Sequence, residues 1–374
     1  MSETHILVVD DEPGMLRSVE RVLSHSYEVE TASGPDEALQ KMREHKPELA
    51  VLDIRMPELD GFSLMSLLRS ERPDLDVIFM TGAVHELDAQ LIRAIREKAY
   101  YFIQKPFDRE VLLTLIQRCL EQRRLAKENR AYVERLEAEL ASARAFQQSL
   151  LPPIHAQFGT LEIAAHYAPC DELGGDLYDY VHAPDGRTTL VVGDVSGHGV
   201  SAAMITGIIK SAFHEENEGP WEPLAVVDRI TAGLRPLAYD RFVTLFCARI
   251  DPKKGRLEYV NAGHPAPFLW RAGETAIELT PTGAMLSPAF PEHGCEQKEV
   301  AFSAGQQLLI YSDGLTEARD NEGFFGEERL AELLLTSGRG SDLLDAIIER
   351  VNAFGSGRPA DDDRTLLTAT LLAD

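Results

Sequence analysis

Basic residues are scarce in this chain: 37 Lys and Arg stand against 61 Asp and Glu, a formal net charge of −24 over 374 residues. So acidic a surface repels phosphate backbones, and no basic recognition helix is present, which excludes a broad nucleic-acid interface. Only four cysteines occur, Cys119, Cys170, Cys247 and Cys295, widely spaced and without a CxxC pair. No disulfide framework is expected, and a reducing cytoplasm is the expected compartment. Long apolar runs are missing too. The longest, such as LLIY at 308–311, fall far short of the ~18 residues that a bilayer span needs, so no membrane partner is expected. The opening MSETHILVVDDE has no basic stretch followed by an apolar one, hence no expected signal peptide. At 44% hydrophobic and 26% charged residues, the composition is that of an ordinary globular protein whose length suggests two or three domains.

Three segments differ in pattern. Over 1–120, apolar runs at 5–10, 48–53, 76–81 and 99–104 alternate with helical patterns at about 14–24, 35–45, 61–70, 86–97 and 107–120. This alternation predicts right-handed βαβ units and a doubly wound, flavodoxin-like α/β domain with a parallel sheet covered on both faces. Over 121–152 the chain is dense in Glu, Arg, Ala and Leu and has no Gly or Pro before Pro152-Pro153. Ala126, Asn129, Val133, Leu136, Leu140, Ala143, Gln147 and Leu150 recur at steps of three and four, which predicts a helical linker that is either a coiled-coil seam, and through it a homodimer, or a lone connecting helix packed on its neighbours. Asn129 and Gln147 are polar positions in that seam. Over 153–374, strand patterns at 188–194, 243–250, 256–260, 267–271, 307–313 and 365–372 come with helical patterns at about 199–216, 221–238, 327–336 and 341–354. The DPKKG turn at 251–255 implies antiparallel pairing, and an α+β domain follows, an antiparallel β-sandwich flanked by helices. Trp221 and Trp270 read as packing residues and GSGRPA at 355–360 as a loop.

In a doubly wound sheet, ligands bind beyond the carboxyl ends of the strands. Asp10 and Asp11 follow the first apolar run, Asp53 and Thr81 end later ones, and Lys105 follows the last, so all five converge on one rim. Three carboxylates so close repel one another unless a divalent cation with hard oxygen ligands lies among them, Mg²⁺ being the expected ion. The Thr81 hydroxyl and the Lys105 ammonium then stand where they can bind the oxygens of a phosphoryl group on Asp53. Singly, each residue reads as well as a turn, a solvated lysine or a strand former; the joint pattern carries the reading. With VVDDE, LDIRMPELDG, MTG and KPF in place, residues 5–120 resemble the response-regulator receiver family. The resemblance implies Asp53 as phosphoacceptor, with Asp10, Asp11, Asp53 and the Arg55 carbonyl on Mg²⁺. It further implies Thr81 and Lys105 on the phosphoryl group, Phe102 as the switch aromatic, and a sensor histidine kinase or phosphotransfer protein as partner.

A second set of aspartates lies in GGDLYDY (174–180), GDVSGHG (193–199), YSDGLTEA (311–318) and DDDRTLL (361–367). Any one of these is a turn more often than a ligand. A cluster of Asp176, Asp194, Asp313 and Asp362, with no His or Cys at metal spacing, favours Mg²⁺ or Mn²⁺ over zinc. The neighbouring glycines are expected to bring the backbone close to a bound ion. Two such ions about 4 Å apart can activate a bridging water and clamp the attacking and leaving oxygens, which implies phosphoester hydrolysis without a covalent intermediate. No cysteine lies in a CxxxxxR-type segment and GxSxG is missing. His198 is either a general acid or a turn-capping residue, and His264 in NAGHPAP reads as structural.

Together with FQQSLLPP, NAGHPAP and YSDGLTEARDNEGFFGEERL, these segments make residues 146–372 similar to the metal-dependent PPM-type phosphatases, in the branch of stage II sporulation protein E and the sigma-factor-regulating phosphatases. The resemblance implies Asp194 bridging both ions with the Val195 carbonyl, Asp313 and Asp362 completing one shell, and Asp176 serving the other ion. A DDxT pattern favours Asp362 over Asp361 and Asp363. The implied substrate is a phosphoserine or phosphothreonine on an anti-sigma-factor antagonist. The joint expectation is a two-component response regulator in which phosphorylation of Asp53 controls the phosphatase through the continuous helix. The alternative is a phosphorylation-dependent binding protein whose phosphatase domain is weak or inactive.

Overall fold

Buried parallel strands and the helices that cover them account for the N-terminal third. The computed structural model describes residues 4–82, 101–197, 199–215, 221–237, 241–290, 292–321, 323–336 and 338–373. The expected helix at 86–97 and His198 lie outside these. The chain divides into two compact units, Met1–Arg135 and Leu136–Asp374.

In the first unit the strands β1 (His5–Val9), β2 (Glu28–Ala32), β3 (Leu49–Asp53), β4 (Asp76–Thr81) and β5 (Tyr101–Gln104) form one sheet in the order β2-β1-β3-β4-β5, with every pair parallel. Alternate residues point to opposite faces. Leu7, Val9, Ala50 and Leu52 pack against α2 (Pro35–His45) and α3 (Gly61–Glu71), while Ile6, Val8, Val51 and Ile78 pack against α1 (Pro13–Leu23) and the start of α4 (Arg109–Leu150). Residues 28–32 were not among the predicted strands. As the sheet's edge, β2 keeps one side in solvent and tolerates the charged sequence EVETA, so no apolar run marks it.

Predicted as two patterns, the last helix of this unit and the linker are one helix of 42 residues, α4, about 63 Å long at 1.5 Å per residue. It has no glycine or proline and ends two residues before Pro152. Arg123 on α4 pairs with Asp74 and with Asp76, the latter at 3.0 Å, and holds the helix to the first unit. Of the seam positions, Ala126, Asn129, Val133, Leu136 and Ala143 are exposed and Leu140 and Leu150 half-buried. Gln147 departs from the seam reading, because its side chain is buried inside the second unit.

The second unit is a sandwich of two sheets. One runs β14 (Lys298–Ala301), β11 (Arg256–Ala262), β10 (Val243–Asp251), β9 (Thr188–Val195), β8 (Asp176–His182). The other runs β13 (Ile277–Glu278), β12 (Phe268–Arg271), β15 (Gln306–Tyr311), β16 (Arg364–Leu371), β7 (Leu161–Ala168), β6 (His155–Phe158). Neighbours in both sheets are antiparallel. Between the sheets Ile163, Tyr178, Leu190, Val192, Phe246, Leu308 and Leu367 form the central core. The outer face of the first sheet is covered by α5 (Val200–Phe213) and α6 (Pro223–Leu234), that of the second by α8 (Gly326–Thr336) and α9 (Gly340–Phe354). A single turn, α7 (Asp313–Thr316), follows β15.

Sequence patterns missed β6, β7, β8, β13 and β14. In β8 the reason is chemical: Asp179 is buried in mid-strand, its carboxylate taken up by Lys210 Nζ of α5 at 2.5 Å and by Nε2 of His214, just after that helix, at 2.8 Å. A charged residue inside a strand hides the strand until its partners are known.

Candidate functional site

At the carboxyl end of the parallel sheet the chain places Asp10, Asp11 and Asp53 with carboxylate oxygens all within 4.8 Å of one another. Asp10 is fully buried, Asp53 nearly so, and Asp11 exposed. The Lys105 ammonium lies 2.6 Å from Asp10 Oδ2 and 3.2 Å from Asp53 Oδ1. Burial pushes the Asp53 carboxyl up, while Lys105 pulls it back and Asp10 pushes it further up. Burial works against the charge on Lys105, but its bonds to Asp10 and Asp53 hold its pKa above the ordinary lysine value. Thr81 is buried at the end of β4, and its carbonyl accepts the Lys105 N–H at 2.7 Å, so the lysine is fixed to the neighbouring strand end. Asp60 caps α3 by accepting the Ser63 N–H at 2.7 Å, and Gly61 allows that helix to abut β3, since a Cβ there would lie 2.3 Å from the Asp53 carbonyl oxygen. Arg55, in the loop between them, is exposed. Phe102 is half-buried on β5, its ring 5.9 Å from that of Phe79.

The second acidic site is assembled from segments up to 187 residues apart. Asp176 opens β8 and is the register partner of Asp194 on β9; Asp194 in turn pairs with Thr244 on β10. Asp313 is the first residue of α7, and Asp362 and Asp363 precede β16. Burial, together with Asp313, Asp362 and Asp363, pushes the Asp194 carboxyl up to about 7. Burial and Asp194 likewise push Asp176 well up, and burial, Asp362 and Glu317 raise Asp313. Asp176 is 2% exposed; the Ser312 and Thr365 hydroxyls work against its upward shift, and its Oδ2 makes no hydrogen bond of ordinary geometry. Buried carboxylates that raise one another's pKa, one of them with an oxygen that makes no hydrogen bond of ordinary geometry, are a donor set that fits a hard divalent cation.

The paired aspartates before β16 have different roles. Asp363 is buried and accepts the backbone N–H groups of Cys170, Gly175 and Asp176 at 2.8, 2.5 and 3.3 Å, so it holds the loop that presents Asp176. Asp362 is exposed and faces the cleft. Replacing Asp363 by Ala is expected to lower unfolding stability by about 2–4 kcal/mol in a denaturant titration, because three buried donors lose their acceptor.

Glycines beside the aspartates let the site's own loops touch. A Cβ on Gly175 would lie 2.7 Å from the Val195 carbonyl oxygen, and one on Gly314 would run into the Asp363 carbonyl oxygen. No cysteine was expected near the cluster, yet Cys170 Sγ lies within 4.8 Å of the Asp362 and Asp363 carboxylates. Pairing of β16 with β7, Arg364 opposite Ala168, brings it there across 192 residues, a proximity no local spacing encodes. Its thiol is pushed up to about 12, by burial and then by Asp363.

His264 is wholly buried, with ring Nδ1 2.9 Å from Thr244 Oγ1 and its backbone N–H donated to Asn261 Oδ1 at 2.8 Å. Burial pushes its pKa down to about 3, so the ring is neutral. Trp270 is buried in the core under α8 and α9, and Trp221 packs beside α6.

Sequence inspection read Gln147 as a seam position and missed its contacts here. Its Nε2 donates to the Gly174 carbonyl at 2.8 Å, and its Oε1 accepts the Gly174 N–H at 3.2 Å. The last turn of α4 therefore grips the residue two before Asp176.

The family model described as Stage II sporulation protein E matches residues 184–372, and that of the response regulator receiver domain matches residues 6–117. Phosphoserine phosphatase RsbP of Bacillus subtilis (strain 168) is 28% identical over 186 residues, which cover 48% of this chain and 45% of that protein. Phosphoserine phosphatase RsbU of the same organism is 26% identical over 207 residues, covering 55% and 61%. The chain spans about half the length of the curated relatives it matches. Among solved structures, the SiaA-PP2C domain of Pseudomonas aeruginosa superposes with a TM-score of 0.57 over 65% of this chain and 98% of that one at 23% identity, and so shares the fold of the second unit.

Proposed function

The chain belongs to the stage II sporulation protein E family and carries a response regulator receiver domain, and from that premise we propose that it is a response regulator whose output is a Mg²⁺- or Mn²⁺-dependent protein serine/threonine phosphatase. The observation that carries the reading is the convergence of Asp176, Asp194, Asp313 and Asp362 at one place, with raised pKa values on the first three and an oxygen of Asp176 that makes no hydrogen bond of ordinary geometry. We assign Asp194 and the Val195 carbonyl to both ions, Asp313 and Asp362 to one and Asp176 to the other. Hard ions there supply an activated water and neutralise charge on the phosphoryl oxygens. The chain's own part is to hold these carboxylates in place through Asp363 and the β8–β9–β10 register.

Control begins at the first acidic site. We assign Asp53 as phosphoacceptor, Asp10, Asp11, Asp53 and the Arg55 carbonyl as Mg²⁺ ligands, and Thr81 and Lys105 as phosphoryl contacts, with Phe102 as the responding aromatic. The phosphodonor is a sensor histidine kinase or phosphotransfer protein. The domain division 1–120, 121–152 and 153–374, cytoplasmic location, and a homodimer along the exposed stripe of Val133 and Leu136 belong to the same proposal. Names of the relatives RsbP and RsbU, both phosphoserine phosphatases, support a phosphoserine substrate, and we place it on an anti-sigma-factor antagonist.

The test is hydrolysis of an aryl phosphate by the purified chain with and without Mn²⁺. Metal-dependent turnover supports the reading; a chain inert with every divalent ion tried favours the partner-binding alternative.

A pH prediction follows from Asp194. Its folded-state pKa, about 7, lies above the ~3.9 of an unfolded aspartate, so without metal the folded state holds the proton more tightly. Stability from this group is present at low pH and is lost as pH rises from about 4 through about 7. Cations reverse the trend by binding the ionised form. Thermal melts are expected to show a metal-free melting temperature that falls between pH 5.5 and 8, and a Mn²⁺-induced rise that grows over the same window.

A further inference from the structure

A cleft of about 590 Å³ opens beside Asp362, with Gly314, Glu317, Arg319, Arg358, Asp361 and Arg364 on its walls. In a chain of net charge −24, three guanidinium groups around one cleft are unexpected unless carboxylates of the chain hold them there. Among the described residues none of the three is in an ion pair. Arg319 lies over the Phe324 ring, 4.6 Å from its centre. Arg358 donates to the Asp320 carbonyl at 3.5 Å and to Asn321 Oδ1 at 2.5 Å. Arg364 donates to the Gly314 carbonyl at 3.3 Å and to Asn352 Oδ1 at 2.9 Å. All these acceptors are neutral, so each side chain is held in position without an ion pair, although the Asp361 carboxylate favours the charge on Arg364. Glu317 and Asp361 also line the cleft. Once Asp362 is committed to an ion, three cations face those two carboxylates and the cleft is net positive.

We infer that this cleft receives the polypeptide flanking the scissile phosphoserine, and that Arg319 and Arg358 select acidic side chains next to it. The inference rests on the phosphatase reading, which puts the phosphoryl group at Asp362. The cleft's volume far exceeds that of one phosphoryl group and suits several side chains. Arg319 and Arg358 are both exposed, on the segments after α7 and after α9, where substitutions leave the core intact. Arg364, half-buried with its guanidinium on Gly314, serves more as a wall.

The test compares phosphoserine peptides that differ only in having two Glu, two Ala or two Lys residues beside the phosphoserine, with full-length protein and Mn²⁺. Expected kcat/KM falls in the order Glu, Ala, Lys, with roughly tenfold between the extremes at low salt. In Arg358→Glu and in Arg319→Glu the Glu-to-Lys ratio is expected to collapse or invert. Equal kcat/KM for the three peptides overturns the inference, as does a preference that survives both substitutions. An aryl phosphate measured alongside reports on the reaction centre alone. If no aryl phosphate is hydrolysed, the phosphatase reading has failed. Fluorescence anisotropy of labelled peptides carrying a non-hydrolysable phosphonate then decides the cleft separately: tighter binding of the Glu-flanked peptide supports it, and equal binding overturns it.

Discussion

Replacing Asp194 by Asn is expected to lower the Mn²⁺-dependent rate roughly a thousandfold, abolish the Mn²⁺-induced rise in melting temperature, and raise the melting temperature of the metal-free protein. The three results come from one cause. Asp194 sits on the middle strand of three, in register with Asp176 on one side and Thr244 on the other, and it bears the repulsion of Asp313, Asp362 and Asp363. Asparagine keeps the shape and removes the charge. The folded apo-protein loses a repulsion, while a metal pair loses the ligand assigned to both ions. A merely structural aspartate would give the opposite stability change, so rates and melts at pH 8 separate the two roles.

Saturating the Asp53 site with beryllofluoride is expected to change the phosphatase rate at least about fivefold, in the range usual for coupling between sites, and Gln147→Ala is expected to remove most of that change. The argument starts at α4, which runs unbroken from Arg109 in the first unit to Leu150 in the second. At its far end the Gln147 amide makes a two-way bond with the backbone of Gly174, beside Gly175 and Asp176. Gln147 is 8% exposed, so truncation leaves the Gly174 N–H and carbonyl without partners in a buried place, at a cost of about 1–3 kcal/mol. A shift or rotation of this helix would act on the loop that presents Asp176, and the proposed control would run through this contact. Steady-state rates of wild type and Gln147→Ala, each with and without beryllofluoride, check the claim. A beryllofluoride effect of undiminished size in the variant would assign the coupling to another contact.

Residues differ in how openly they announce these roles. Interior strands of the parallel sheet are readable because both faces are covered and the side chains before the carboxyl end must be apolar, as in residues 49–52. Edge strand Glu28–Ala32 is not readable, since only one side is buried. The acidic rim of Asp10, Asp11, Asp53 and Lys105 follows from topology alone, because a parallel sheet delivers every strand's carboxyl end to the same side. Asp176, Asp194 and Asp313 are suggested by their Gly-rich settings, and Asp362 by its DDxT pattern. The work of their neighbours is hidden: Asp363 as the acceptor of three amides, Cys170 beside the cluster, and Gln147 on Gly174 all depend on contacts between segments far apart in the chain. Gln147 in particular fits a heptad position, and periodicity cannot tell a polar seam residue from one inserted into a neighbouring domain.

Anomalous diffraction from a crystal of the chain grown with Mn²⁺ is the most direct measurement of whether this carboxylate cluster is a reaction centre. The account predicts a pair of manganese peaks about 4 Å apart, with Asp194 touching both and Asp176, Asp313 and Asp362 completing the shells. Saturating manganese that leaves these four side chains without a peak would contradict it.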